Sequence, residues 1–74
     1  MELENDFKSK LIIAAQKAKK NLSFTIQQVE NEQFHYYIAT IVIEGVGIID
    51  GKGNSKKIAE QQAAQLFFER GFKI

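Results

Sequence analysis

Two neighbouring lysines, Lys56 and Lys57, stand at the start of a segment whose apolar spacing predicts a helix. Either Asn54 or Ser55 is suited to be its N-cap. The first turn of a helix favours acidic residues because the N-terminus carries partial positive charge, yet the first acid of this helix is Glu60. Backbone N–H groups, the helix dipole and two ammonium groups would together attract an anion, and a row of phosphates fits that charge.

The glycines near these lysines do not form a nucleotide-binding loop. Gly45 and Gly51 lie one residue too far apart for a P-loop, and Lys52 is followed by Gly53 rather than by Ser or Thr. Asp50 stands where a dinucleotide fingerprint that begins at Gly45 would need its third glycine. A mononucleotide or dinucleotide site therefore does not explain the lysines.

Length and composition indicate one small folded domain. The chain has 74 residues, 45% hydrophobic residues, a net charge of +1 and no cysteine, which excludes disulfides and thiolate metal sites. The small net charge hides an uneven distribution, because acids crowd the N-terminus at Glu2, Glu4 and Asp6 whereas lysines cluster late. With no signal peptide and no apolar run of membrane-spanning length, we expect a cytoplasmic protein without a membrane partner.

Apolar periodicity predicts a helix, three strands and a second helix. The expected bounds are Asp6–Lys20, Ser23–Glu30, Phe34–Glu44, 48–50 and Ser55–Arg70, in a domain at 6–74 that follows a tail or linker end at 1–5. Strands linked by hairpins form an antiparallel sheet, and both helices must cover one face to close a core. The predicted fold class is α+β, with the order α-β-β-β-α, a three-stranded antiparallel sheet and two helices packed on one face.

One face of each element is expected to point into the core. On the first helix this face holds Phe7, Leu11, Ala14, Ala15 and Ala18 and continues to Leu22. On the first two strands it holds Phe24, Ile26, Tyr37, Ala39, Ile41 and Ile43. On the second helix it holds Ala59, Ala63, Leu66 and Phe67.

The region around the two lysines resembles the C-terminal signature of the double-stranded RNA-binding domain (dsRBD), in the form that ends bacterial ribonuclease III. The matching residues are Gly51-x-Gly53-x-Ser55-Lys56-Lys57-x-Ala59-Glu60-Gln61-x-Ala63-Ala64. The first helix of the same domain is similar to Asp6-Phe7-Lys8-Ser9-Lys10-Leu11 followed by Gln16-Lys17. The resemblance covers about residues 6–70 and agrees with the element order read from periodicity.

The resemblance implies a division of labour in which the second helix holds phosphates across the major groove. The first helix and the loop between the first two strands would each enter a minor groove, so that the domain spans about 16 bp and reads shape. Carried over by position, the phosphate contacts fall on Lys56 and Lys57 with help from Lys52, Gly53, Asn54 and Ser55. Gly51 and Gly53 would permit a close approach of the backbone.

The first helix departs from the family pattern, which places Gln or Asn followed by Glu directly after the leucine that corresponds to Leu11. This chain has Ile12 and Ile13 there, and Ile13 is expected to point away from the core. An isoleucine cannot hydrogen-bond a 2′-hydroxyl. The pair is therefore either ordinary exposed apolar surface or a small patch that docks a protein. Ser9 and Gln16 stay as polar candidates for minor-groove contact.

The loop between the first two strands also departs, because it lacks the Gly-Pro-x-His that the family often has there. Gln33 lies nearest the usual histidine position, and His35 follows two residues later as either a structural or a groove-contacting residue. Glu30 and Glu32 would repel a phosphate backbone. The second minor-groove contact is therefore an open question.

The function implied by the resemblance is non-catalytic: the domain would hold double-stranded RNA for a ribonuclease III nuclease domain outside this chain. That nuclease domain would need Mg²⁺ and would supply any homodimer contact, whereas this chain is expected to hold no cofactor. Glu2, Glu4 and Asp6 are expected to lie in a tail that cannot hold a metal in fixed geometry. The alternative is a protein-interaction module of the same fold with weak RNA binding.

Overall fold

The structure is a computed structural model that describes residues 6–72. The tail predicted at 1–5 and the last two residues of the predicted domain lie outside the described residues. The elements are α1 (Phe7–Lys17), β1 (Leu22–Glu30), β2 (His35–Ile43), β3 (Gly47–Gly53) and α2 (Lys56–Glu69). The predicted order α-β-β-β-α is confirmed.

Helix α1 ends three residues before the predicted Lys20, at Lys17. Lys19 takes a left-handed backbone conformation with φ of 59°. The N–H groups of Lys19 and Lys20 then donate to the carbonyls of Gln16 (3.1 Å) and Ala15 (2.9 Å), which closes the helix end as a Schellman motif. Leu22, predicted on the face of the helix, instead begins β1, because the chain has already turned.

The three strands form one antiparallel sheet in the order β1-β2-β3. The register places Thr25 opposite Thr40 and Thr40 opposite Asp50, where the Thr40 hydroxyl donates to the Asp50 carboxylate at 2.8 Å. Strand β3 is longer than predicted and reaches from Gly47 to Gly53. Its extra residues are mostly glycines, which carry no alternating side-chain signal, so pairing with β2 alone reveals them.

The core lies between the sheet and the two helices. Its buried members are Leu11, Ala39, Ile41, Ile43, Ile49, Ala59, Ala63, Ala64 and Phe67. The inward residues predicted on β2 are confirmed for Ala39, Ile41 and Ile43, whereas Tyr37 is only partly buried. Leu66 packs against this core at its margin, and Ala64 is the fully buried member of α2 that the helical pattern did not single out.

Helix α2 lies unusually close to β3, at Gly51 and Gly53. A Cβ added at Gly51 would stand 2.2 Å from the backbone nitrogen of Ala63, and one at Gly53 would stand 2.7 Å from that of Ala59. The close approach predicted for these glycines is therefore an approach of helix to strand. It sets the position of the N-terminus of α2. Within residues 6–72 no helix is both long and apolar enough to cross a membrane.

Candidate nucleic-acid interface

The N-terminus of α2 is capped by a neutral side chain. Ser55, in extended conformation, accepts a hydrogen bond at its Oγ from the Ile58 N–H at 3.1 Å, which decides between the two predicted caps. Lys56 and Lys57 follow and are exposed, and the first turn contains no acid. Two ammonium groups thus add to the partial positive charge of this helix end, and neither the cap nor the first turn supplies a negative charge to neutralise it.

The first acid of α2 turns towards α1 instead. Glu60 pairs with the Lys8 ammonium group, and the Nζ–Oε1 distance is 2.7 Å. Among residues 6–72 neither Lys56 nor Lys57 forms an ion pair. The carboxylate nearest in sequence is therefore paired with Lys8, and both Lys56 and Lys57 are exposed.

Lys52 lies on β3, where its Nζ is 4.8 Å from the centre of the Tyr36 ring. The cation–π contact holds the lysine beside the start of β2. Gly53 and Asn54 follow it directly and lead into the Ser55 cap. The residues predicted to hold phosphates thus occupy one continuous stretch from the end of β3 to the first turn of α2.

The polar candidates on α1 differ in what they already bind. The Ser9 hydroxyl donates to the Asp6 carboxylate at 2.7 Å, and the Ser9 N–H donates to the same group at 3.2 Å, so Ser9 serves the N-cap. Gln16 is exposed. Ile13 is 51% exposed, as its helical position predicts, whereas Ile12 is half-buried and lines a groove with Leu22 and Phe24.

Asp6, predicted to begin the first helix although it was also grouped with the acids of the tail, is the N-cap of α1. Gln61 ties this cap to α2: its Nε2 donates to Asp6 at 3.0 Å, and its Oε1 accepts from the Lys8 N–H at 3.0 Å. The pKa of the Asp6 carboxyl is lowered from its ordinary value of 3.8, chiefly by the two hydrogen bonds from Ser9. Desolvation opposes this shift in part, and Gln61 and the charge of Lys57 each lower the pKa further by a smaller amount.

The loop between β1 and β2 is short and well hydrogen-bonded. Asn31 Oδ1 accepts from the N–H groups of Gln33 and Phe34, both at 2.8 Å, and the Asn31 N–H donates to the Phe34 carbonyl at 2.9 Å. Gln33 is exposed. His35 is exposed too, with its ring edge-on to Tyr37 at 5.4 Å and its Nδ1 3.8 Å from Glu30. A carboxylate and a histidine therefore lie side by side where the loop joins the two strands.

A family profile described as the double-stranded RNA binding motif matches residues 7–70. The chain belongs to this family. The resemblance drawn from the lysine signature is thereby confirmed. The chain is a double-stranded RNA-binding module, with the predicted fold.

Two relatives of the chain are Ribonuclease 3 proteins. The chain is 38% identical over 69 residues to Ribonuclease 3 of Bacteroides fragilis, in two strains, and the match covers 90% of the chain. It covers 24% of the relative, so the chain spans about a quarter of the length of the Ribonuclease 3 proteins it matches.

Two solved structures share the fold. The solution structure of the second dsRBD of DRB4 superposes with a TM-score of 0.68 at 23% identity, covering 86% of this chain and 92% of that one. The solution structure of both DRB4 dsRBDs with their linker gives a TM-score of 0.74 at 21% identity, covering 95% and 46%. At these identities the likeness concerns the fold alone.

The part of the dsRBD that the structure describes contains no group of three or more His, Asp or Glu side chains placed to hold a metal ion. Glu2 and Glu4, two of the three acids considered as a metal site, lie outside the described residues. The third, Asp6, caps α1.

Two features of this surface were not predicted from the sequence. Gln61 has no local signal, because the groups it binds are 53 and 55 positions away. Phe34 was taken as the start of a strand, yet it lies in the loop and is 56% exposed. A large aromatic residue directly after the polar run Asn31-Glu32-Gln33 was the signal available for it.

Proposed function

We propose that this dsRBD binds the phosphates of duplex RNA with Lys56 and Lys57 and with help from Lys52. The observation that carries the proposal is the neutral cap at Ser55 followed by two exposed lysines that form no ion pair within residues 6–72. Gly53, Asn54 and Ser55 contribute backbone N–H groups or polar atoms along the same stretch. Counterion release from the phosphates would provide most of the affinity.

Minor-groove contact at α1 is weaker in this proposal than in a family member with the polar pair. Ile12 and Ile13 offer no hydrogen bond to a 2′-hydroxyl, and Ser9 is engaged by Asp6. Among the polar candidates on α1, Gln16 is the one whose side chain is exposed and available to RNA. The phosphate contacts of α2 therefore dominate over the contacts of α1.

The experiment that tests the assignment is a titration with a duplex RNA of roughly 20 bp, longer than the span of about 16 bp that such domains cover. DNA of the same sequence is titrated in parallel, each at two salt concentrations. We expect tighter binding to RNA and an affinity that falls as salt rises, because phosphate contacts release counterions. Equal affinity for both duplexes, or affinity independent of salt, would contradict the proposal.

The proposed role of the domain is to hold RNA for a nuclease of the ribonuclease III kind in RNA processing in the cytoplasm. The identity of 38% to Ribonuclease 3 over about a quarter of its length supports this. In this view the endonuclease that hydrolyses RNA, its Mg²⁺ and any homodimer contact belong to a nuclease domain outside the chain. The chain alone is then non-catalytic.

Incubation of the isolated chain with duplex RNA and Mg²⁺ or Mn²⁺ tests whether the chain alone is non-catalytic. We expect intact RNA, because no carboxylate cluster is placed to hold a metal and a water within residues 6–72. Cleavage that a point mutation in this chain abolishes would overturn the proposal of a purely binding domain. Sedimentation of the isolated chain without RNA should give a monomer, because we assign any homodimer contact to the nuclease domain outside the chain.

A further inference from the structure

Phe34 is an exposed aromatic residue whose backbone is held by hydrogen bonds. Its side chain is 56% exposed. Its N–H donates to Asn31 Oδ1 at 2.8 Å, and its carbonyl accepts from the Asn31 N–H at 2.9 Å. The backbone is therefore held at both polar groups, while the ring is exposed to solvent. An aromatic side chain on an ordered backbone can bind a flat partner with less loss of entropy than one on a mobile loop.

A groove opens beside this ring, between the β1–β2 loop and the connection from β3 to α2. Its volume is about 450 Å³, and it is lined by Gln33, Phe34, His35, Tyr36, Lys52 and the segment 53–54. These residues combine aromatic rings, side-chain amides and one ammonium group. Pockets that bind small planar groups have this combination of apolar surface and a few polar atoms.

The chemistry of the groove fits a nucleobase better than a phosphate row. Aromatic rings stack on the faces of bases, and the amides of Gln33 and Asn54 can bond to base edges. Glu30 and Glu32 in the same hairpin repel phosphates, so this end of the domain is ill-suited to a second backbone contact. A neutral base does not meet that repulsion.

The base must be unpaired. In a duplex the faces of the bases are covered by their neighbours, and only loops, bulges and ends present a face for stacking. The groove is continuous with the phosphate-binding stretch, because Lys52, Gly53 and Asn54 belong to both. An unpaired nucleotide next to a bound duplex could therefore reach it without leaving the lysines.

We propose that this groove binds one unpaired RNA nucleobase, stacked on Phe34, at a bulge, loop or end beside the duplex held by Lys56 and Lys57. The inference deepens the proposed duplex binding and rests on it. The domain would then favour duplexes that carry an irregularity over uniform ones. Phe34 is its specificity-determining residue, and Lys52 neutralises the phosphate of the same nucleotide.

The test uses two RNA duplexes of roughly 20 bp with identical ends, one of which carries a single unpaired adenosine at its centre. We expect the wild-type chain to bind the bulged duplex at least about 5-fold more tightly, because stacking of one base on an aromatic residue is worth roughly that much or more. Phe34→Ala should remove the difference and leave affinity for the uniform duplex unchanged. Phe34→Tyr should keep the difference.

Ile48→Ala is the matched control, because Ile48 is a large apolar residue on β3 that is 63% exposed and does not line the groove. It should leave both affinities unchanged. With 2-aminopurine as the unpaired base, binding should quench the fluorescence for the wild type and not for Phe34→Ala. Circular dichroism of Phe34→Ala checks that the fold is intact.

Equal loss of affinity for both duplexes on Phe34→Ala would overturn the proposal, since Phe34 would then contact the duplex itself and not an unpaired base. Equal binding of the two duplexes by the wild type would overturn it as well. Failure of the proposed duplex binding itself would look different, because the wild type would then bind neither RNA in a salt-dependent way.

Discussion

The N-termini of the two helices are built in opposite ways. Helix α1 is capped by the carboxylate of Asp6, and Gln61 bonds to that carboxylate from the other helix. Helix α2 is capped by the neutral Ser55 and begins with Lys56 and Lys57. Neither helix has an acid in its first turn. The dipole of α1 is therefore satisfied within the chain, whereas that of α2 is reinforced and left for an external anion.

This difference separates stability from binding. Asp6 and its partners fasten α1 to α2, and Glu60 adds an ion pair with Lys8 to the same junction. Two lysines beside a helix N-terminus instead oppose the dipole and lower stability in the free domain. RNA phosphates would reverse the sign of that interaction. The N-terminus of α1 thus fastens the two helices together, whereas the N-terminus of α2 is the end that we propose contacts the RNA.

The largest effect is expected from Gly51→Ala, which should displace α2 and with it the helix end that carries the lysines. The added Cβ would stand 2.2 Å from the Ala63 backbone nitrogen and 2.7 Å from the Ala59 carbonyl oxygen, so the helix must shift. We expect a loss of about 3 kcal/mol in unfolding free energy, and a fall in the melting temperature of more than about 10 °C. Thermal unfolding followed by circular dichroism measures it.

Gly47→Ala is the control on the same strand. The three atoms nearest to its Cβ would all belong to the ring of Phe72, the first at 2.8 Å, and a side-chain ring can move where a helix backbone cannot. It should therefore lower the melting temperature much less than Gly51→Ala. Equal losses for the two variants would show that the closeness of α2 to β3 does not govern its position.

Removing both lysines tests the ligand-binding end directly. Lys56→Ala with Lys57→Ala should weaken duplex RNA binding about 30-fold at about 0.15 M salt, because each phosphate contact accounts for a slope of about 0.9 in log affinity against log salt. The slope itself should fall by about 1 per lysine, for every duplex sequence alike. Binding titrations at several salt concentrations measure both.

The matched control is Lys17→Ala with Lys20→Ala. It removes the same charge at the last residue of α1 and in the turn that follows it, away from the N-terminus of α2. Lys17 lies beside Phe67, Phe68 and Phe72 at the far end of α2. This control should change the affinity far less. A similar loss in both double variants would mean that net charge, and not the end of α2, drives binding.

The isoleucine pair sharpens the comparison at α1. Ile12→Gln with Ile13→Glu should raise affinity for duplex RNA a few-fold to about tenfold, since each neutral hydrogen bond is worth about 0.5–1.5 kcal/mol. Preference for RNA over DNA should rise too, because only RNA carries the 2′-hydroxyl. Titration with both duplexes measures the gain.

The stability of this variant is informative because the two sites differ. Ile13 is half exposed, whereas Ile12 packs beside Leu22 and Phe24, so a moderate loss of about 1 kcal/mol should come from Ile12. Ile13→Glu alone should leave the melting temperature unchanged. No gain in RNA affinity, together with loss of self-association in sedimentation, would instead favour a protein-docking role for the pair.

The smallest expected effect is the pH dependence of the α1 cap. The pKa of Asp6 is lowered in the folded chain, so its ionised form contributes stability that is present above 3.8 and is lost as pH falls through the lower folded value. Asp6→Asn should therefore lower the melting temperature at neutral pH and make it less sensitive to acid. Parallel pH profiles for the two proteins measure this, and superimposable slopes would contradict it.

Local patterns determined much of this protein. The element order follows from periodicity, since side chains that share a face repeat at 3.6 or 2 residues whatever the rest of the chain does. A cap at Asn54 or Ser55, the exposure of Ile13 and the cationic start of α2 likewise depend only on residues within a turn. The signature that includes the two lysines pointed to the family because it, too, is a continuous run of residues that can be read from the sequence.

The tertiary structure alone decided how those parts meet. Gly51 and Gly53 contact a helix, Gln61 bonds across 55 positions to Asp6, and Glu60 turns away from the lysines to Lys8, 52 positions distant. Such contacts depend on the packing distance between α2 and its neighbours, which no local spacing encodes. The same is true of Phe34, because the groove beside it exists only where the β1–β2 hairpin extends past the end of β3.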